Sequence, residues 1–343
     1  MAGGPGKIEE EMKSAPNVAK AALAMLGSQD FFVHLRGALA RVGLAGEEKF
    51  GVAIFFTMIS GFRANPLRVA LEEMTEGSAK YMVKCVAKLF HPRTVCGVCS
   101  EQGWSRFAED PANKVAYVRQ WSDGQREGVR FETNGNQLAR ITSREQDGRI
   151  VETPETIQGS FACFAERSPS WLSPDRSRWL SIQLPAPQVS VRNGWAPLSE
   201  DEIAMWLRIS CLLKERAQSA IVLPDWVDIF IEQCCDEHGS GNLPVFLRAW
   251  QTMAVLRSFA RDAFADPRSD RQNTLPADFS DLAVTSLLLR KVFKQGCWFP
   301  SPAKIFNHVF PVGKEFGVIN PVTGKGVRYT RRESKPVEWQ SLF

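Results

Sequence analysis

No apolar run in the sequence reaches the about 18–20 residues that a membrane-crossing helix needs, so no membrane partner is expected. The first residues, MAGGPGKIEEEMK, lack the apolar core of a secretory signal, and a cytoplasmic location is expected. Histidine is scarce: His34, His91, His238 and His308 are the four in 343 residues. No Ser/His/Asp or Cys/His arrangement accompanies them, which argues against nucleophilic hydrolase chemistry. The eight cysteines are scattered, with Cys234 and Cys235 adjacent, a usage that suits a reducing cytosol better than a disulfide framework. Cys96-x-x-Cys99 with His91 upstream, and Cys234-Cys235 with His238, are each fragments of a zinc spacing. Neither supplies two well-spaced ligand pairs, so no metal site is expected. There is no internal repeat and no low-complexity tract. A net charge of +4 allows a nucleic-acid partner without requiring one, so the distribution of charge matters more than its sum.

What remains is the composition of an ordinary globular chain, 44% apolar and 23% charged, long enough for two or three domains. The order of patterns predicts four parts. Residues 1–49 form an N-terminal helical segment, with apolar residues at helical spacing from Asn17 to Leu44. Residues 50–190 hold an apolar helix, FGVAIFFTMISGF, then a strand Leu67–Leu71, a helix Tyr81–Phe90, a strand near Thr94–Val98 and a strand Lys114–Val118. Val129–Glu152 alternates apolar and polar residues around Asn134-Gly135 and Asp147-Gly148, both strong hairpin signals. Strands Gly159–Glu166 and Arg178–Leu184 follow, and the whole points to a three-layer α/β core. After the proline-rich linker Pro185–Pro197, Ser199 and Glu202 predict a capping box that opens a helix at Glu200, and residues 198–295 read as helical. Residues 296–343 predict a helix near Ser301–Val309 and a basic β-hairpin, arranged as a small winged-helix-like part would be.

The stretch that organises the core is NPLRVALEEMTEGSAKYMVKCVAKLF, a strand, a turn with Gly77, Ser78 and Lys80, and a helix. A nucleotide-binding P-loop occupies such a place. Its pattern G-x-x-x-x-G-K-[ST] wraps phosphates with backbone N–H groups, reaches them with the lysine and holds Mg²⁺ with the hydroxyl. Counted from Lys80, the glycine positions are Met74 and Ala79 and the hydroxyl position is Tyr81. Only the lysine is kept. Met74 and Tyr81 are expected to crowd the phosphate site.

From Phe31 to Arg261 the order of parts resembles the helicase-like ATPase module of primase-helicases carried by phages, plasmids and integrative elements. The phrase GLAGEEKFGVAIFFTMISGFRANPLRVAL places Ser60, Phe62, Arg63 and Pro66 where that family has an "SR-x-L-x-x-P" type phrase. Ser100-Glu101 matches its serine–glutamate phrase, Gly159–Glu166 its later core strand and Arg178 an arginine near the subunit interface. The resemblance implies a P-loop NTPase-like (AAA+/helicase-like) core with a β-hairpin insertion, a helical lid-like domain and a site built on Gly77, Ser78, Lys80 and Arg178. Bound ATP and Mg²⁺ would be its cofactors if the site is kept. It also implies a carboxylate at the end of Lys114–Val118 to handle metal and water, but Arg119-Gln120-Trp121 stand there and the nearest acid is Asp123. Two losses in one chemistry predict a fold that no longer hydrolyses ATP, with no catalytic residue and no bound cofactor.

Basic residues gather in two hairpins. Arg140, Arg144 and Arg149 lie in the first, diluted by Glu145 and Asp147; Lys325, Arg328, Arg331, Arg332 and Lys335 lie in the second against Glu333 alone. Both are expected to contact DNA, the second as a wing does, on the phosphate backbone. Glu72-Glu73 reads as solvated charge. Three functions stay open: a non-hydrolysing helicase-like accessory protein in replication, binding DNA or a partner subunit; an active ATPase or helicase completed by a partner with an intact P-loop; and a scaffold that uses neither nucleotide nor DNA. Homo- or hetero-oligomers are compatible with all three.

Overall fold

The computed structural model describes residues 16–72, 77–92, 94–98, 100–111, 114–118, 128–134, 137–166, 179–185, 196–224, 227–228, 231, 243–262, 274–293, 315–319 and 326–330. In chain order the elements are α1 (Pro16–Gly27), α2 (Phe31–Leu39), a π-type turn (Ala40–Leu44), α3 (Glu48–Ser60), β1 (Arg68–Glu72), α4 (Ser78–Ala87), β2 (Val95–Gly97), α5 (Glu101–Glu109), β3 (Val115–Val118), β4 (Gly128–Asn134), β5 (Gln137–Gln146), β6 (Arg149–Gln158), β7 (Ala162–Ala165), β8 (Leu180–Gln183), α6 (Glu200–Ala217), β9 (Ala220–Val222), α7 (Leu243–Asp262), β10 (Thr274–Pro276), α8 (Phe279–Val292), β11 (Glu315–Ile319) and β12 (Gly326–Thr330). Two compact units result, one from Leu39 to Leu198, the other from the residues before Leu39 together with those from Ser199 on.

In the first unit a five-stranded parallel sheet has the order β2-β3-β7-β1-β8. Its strands are short and almost wholly apolar (VAYV, ACFA, RVALE), because helices cover both faces. Side chains alternate between the faces. Ala70, Cys96, Val98, Ala116, Val118, Cys163 and Ala165 join Trp104 and Phe107 of α5 in one buried cluster. The opposite face meets α3, whose C-terminal Gly61 lies so close that a Cβ there would come within 3.2 Å of the Ala162 Cβ. Every residue of α3 from Gly51 to Ser60 is buried, as its unbroken apolar run requires. Ser60 joins α3 to β1: its hydroxyl donates to the Thr57 carbonyl (2.6 Å) and accepts from the Leu67 N–H (2.9 Å). The three-layer α/β core is therefore present, with one helix, α5, that the sequence reading did not expect. Its apolar face consists of little more than Trp104 and Phe107, and Ser100 caps it by accepting from the Gly103 N–H.

A separate antiparallel sheet, β4-β5-β6, interrupts the core between β3 and β7. Asp147 (φ 53°) and Gly148 (φ 74°) make the two-residue turn expected of that dipeptide, so Gln146 faces Arg149. Pro154 is tolerated because β6 is an edge strand. The base of the sheet, at Leu138 and Ile157, is buried in the α5 cluster, while Arg144–Thr156 is exposed.

In the second unit α1 packs against α6 and α7, and α7 against α8. The expected capping box is there: the Ser199 hydroxyl accepts from the Glu202 N–H, and the Glu202 carboxylate accepts from the Ser199 N–H. A second box, Asp278 with Asp281, starts α8. The region expected to be helical also holds a parallel pair, β9 with β10. Strands β11 and β12 pair antiparallel, with Arg328 opposite Gly317. The helix expected near Ser301–Val309 lies outside the described residues. Among the described residues no helix is long and apolar enough to cross a membrane.

Candidate functional site

In an open parallel sheet a ligand crevice forms beyond the carboxyl ends of the strands, where the strand order reverses. Here that reversal falls at β1, flanked by β7 on one side and β8 on the other. The chain leaving β1 comes to Gly77, which sits at φ 91° and ψ −6° as the residue before α4. This left-handed conformation favours glycine, and a Cβ added there would meet nothing within 4 Å. Ser78 and Ala79 are buried in the first turn of α4, and Lys80 is half-buried. Met74 lies outside the described residues, as do Arg178 and its sequence neighbour Asp175.

The Tyr81 side chain reaches to Gly43. Its ring runs along α4, and its hydroxyl donates to the Gly43 carbonyl (3.1 Å), beside Cys85. Burial, then the Cys85 thiol and Glu47, push the Tyr81 phenol above its ordinary pKa; burial likewise raises Cys85. The group at the motif's hydroxyl position is therefore a neutral phenol already engaged by a carbonyl. Of the P-loop pattern only the lysine is kept, with Gly77 at a variable position, and the side chain at the hydroxyl position is engaged at Gly43, so these residues fit a phosphate and Mg²⁺ poorly.

The carboxylate sought at the end of β3 has a neighbour the sequence reading passed over. Glu166 follows β7, its N–H donates to the Val118 carbonyl at the end of β3, and its carboxylate accepts a short hydrogen bond from the Tyr117 hydroxyl. Glu72 ends β1 on the other side of β7 and is half-buried rather than fully solvated. The signal was the acid closing the run SFACFAE, visible only once β7 is known to lie between β3 and β1. Among the described residues no group of three or more His, Cys, Asp or Glu side chains could hold a metal. Cys96 is a buried thiol whose pKa burial raises, and Cys99 lies outside the described residues.

Of the arginines assigned to DNA, Arg140 is placed elsewhere. Its side chain is 5% exposed, and its guanidinium donates to both Glu101 oxygens (2.9 and 3.1 Å) and to Glu155 (2.8 Å), over the Trp104 ring at 5.0 Å. It fastens β5 to α5 and is not a surface contact. This is a correction with a simple cause: Arg140 shares the strand face of Leu138, which the core covers. Arg144 and Arg149 are exposed. Arg144 faces Val151 and Arg149 faces Gln146, so both arginines lie on one face of the tip. Glu145 and Glu152 fall on the other face. Of the two diluting acids, Glu145 is thus turned from the arginine face, and Asp147 sits in the turn between the strands. In the second hairpin Arg328 lies in β12, and Lys325, Arg331, Arg332 and Lys335 lie outside the described residues.

No protein-family model and no curated protein matches the sequence. Among solved structures, a full-length MCM homologue from Methanopyrus kandleri is similar at 13% identity and a TM-score of 0.44, over 84% of this chain. The match spans 62% of that protein's length.

Proposed function

We propose that this chain is a non-hydrolysing helicase-like protein built on a P-loop-type core, acting as a DNA-binding accessory beside a partner subunit with an intact P-loop. The setting the resemblance suggests is replication in a mobile element or phage-derived locus. The observation that carries the reading is Tyr81: at the motif's metal-binding position stands a phenol whose hydroxyl is bonded to the Gly43 carbonyl. That bond holds the oxygen at Gly43, at the far end of a ring, whereas the motif's Ser or Thr hydroxyl sits one bond from Cβ, beside the phosphates. Calorimetry of the full chain with ATP and Mg²⁺, from micromolar to millimolar, is expected to give no saturable binding. Saturable binding abolished by Lys80→Ala would overturn the proposal. Glu166 favours a second reading, an active ATPase that draws its acid from β7, and Mg²⁺-dependent turnover lost in Glu166→Gln would establish it.

For DNA, the segregation of Arg144 and Arg149 on one exposed face supports backbone contacts at the hairpin tip. Arg144→Ala with Arg149→Ala is expected to weaken duplex or single-strand binding and to lower the salt dependence by about one unit per arginine. Stability should stay within about 0.5 kcal/mol, because both side chains are exposed. Unchanged affinity and salt slope would move DNA contact to the second hairpin or exclude it.

A further inference from the structure

The turn Ala40–Leu44 lies where the chain passes from one compact unit to the other, the division falling at Ala38 and Leu39. The chain makes the reverse passage at Leu198 and Ser199. Three side chains link these places to one another and to α4 with its C-cap residue, Lys88. Tyr81 donates to the Gly43 carbonyl (3.1 Å) and Lys88 to the Val42 carbonyl (3.3 Å). From inside the turn, Arg41 donates through Nε to the Ala196 carbonyl (3.0 Å) and through Nη2 to the Pro197 carbonyl (2.9 Å).

The geometry of the turn makes these contacts specific. A π-type turn broken by a residue outside helical φ/ψ leaves carbonyls without their helical N–H donors. Gly43, at φ 121°, is the break. Any side chain there would collide with the phenol, since a Cβ would lie 2.6 Å from the Tyr81 hydroxyl and 3.2 Å from the Cys85 sulfur. The close approach of Gly43 and Tyr81 therefore requires glycine, and side chains of one helix supply donors to two consecutive carbonyls of the turn.

We propose that Leu39–Leu44 is a conformational lever: Tyr81 and Lys88 hold it to α4, and Arg41 holds it to the second crossing, so that a shift of α4 reaches both passages between the units. The lever is independent of what the Gly77 turn binds, so its failure and the failure of the nucleotide reading are separate results.

Amide hydrogen exchange of the full chain tests it. Tyr81→Phe keeps the ring and deletes one hydrogen bond. It is expected to speed exchange about fivefold at residues 40–47 and, through Arg41, at Ala196, Leu198 and Ser199 as well. In an Arg41→Ala background the same change should leave 196–199 unaffected. Faster exchange confined to α4 and 40–47, or equal effects at 196–199 with and without Arg41, would overturn the lever. If Tyr81→Phe perturbs folding, Lys88→Met, which loosens the adjacent carbonyl, gives the same comparison from a second site.

Discussion

Asp281→Ala is expected to cost about 3 kcal/mol of stability, read as a lower urea midpoint with an unchanged slope. Asp281 is fully buried at the start of α8, where it pairs with Arg257 (3.2 Å) and, through a short contact, with Arg261. It also accepts from the Asp278 N–H (3.1 Å), closing the capping box. Removing one member of a buried pair costs about 3–5 kcal/mol. The lower end applies here because Arg257 and Arg261 keep 31% and 26% exposure and can turn to water. The same site sets a pH dependence. Burial, reinforced by Asp278, pushes the Asp281 carboxyl up to about 6, and Arg261 and Arg257 only partly oppose it. A raised carboxyl favours the protonated folded state. Its contribution is therefore complete below the ordinary value of 3.8 and is lost as pH rises through about 6. Asp278 acts in the opposite sense: its hydroxyl bond from Ser280 and the nearby Arg261 outweigh burial and lower its pKa, so that its contribution is lost on acidification. Asp281→Asn should flatten the decline in stability between pH 4 and pH 6, and an unaltered profile would place the titration elsewhere.

Arg140→Ala is expected to cost about 2–3 kcal/mol and to loosen the β4-β5-β6 sheet from α5, while Arg140→Met costs little. The difference follows from exposure. Glu101 and Glu155 are 84% and 47% exposed, so when the guanidinium goes their carboxylates rehydrate and are not stranded. What alanine removes is the packing of a long, buried stem and its stack over Trp104. Methionine fills much of that volume. Thermal melts of both variants check this, and equal losses would mean that the ion pairs, not the packing, fasten the sheet. Neither variant should alter the salt dependence of DNA binding, in contrast to changes at Arg144 and Arg149.

Local chemistry made much of this architecture legible. Asp147-Gly148 announced its turn because the dipeptide accepts positive φ at both residues, and Ser199 with Glu202 announced a helix start because the two side chains satisfy each other's backbone. The apolar strands were legible because a doubly covered sheet tolerates nothing else. Arg140 was misread because its fate depends on strand parity relative to Leu138, and parity becomes meaningful only when one end of a strand is known to be covered. Glu166 was missed for a related reason: the pattern fixes which strand should carry an acid but not which strand lies beside it. The reach of Tyr81 to the Gly43 carbonyl was not legible, because that partner is distant in sequence.

The strand order has a consequence for how the chain is made. Val69, in the interior strand β1, pairs with Phe164 and Leu180, and neither partner exists when β1 leaves the ribosome. At ordinary synthesis rates the wait is roughly 5–20 s, with an apolar strand and the apolar run of α3 unsheltered throughout. The nascent chain is therefore a client for chaperones over that interval, and truncations ending before β8 should aggregate rather than fold.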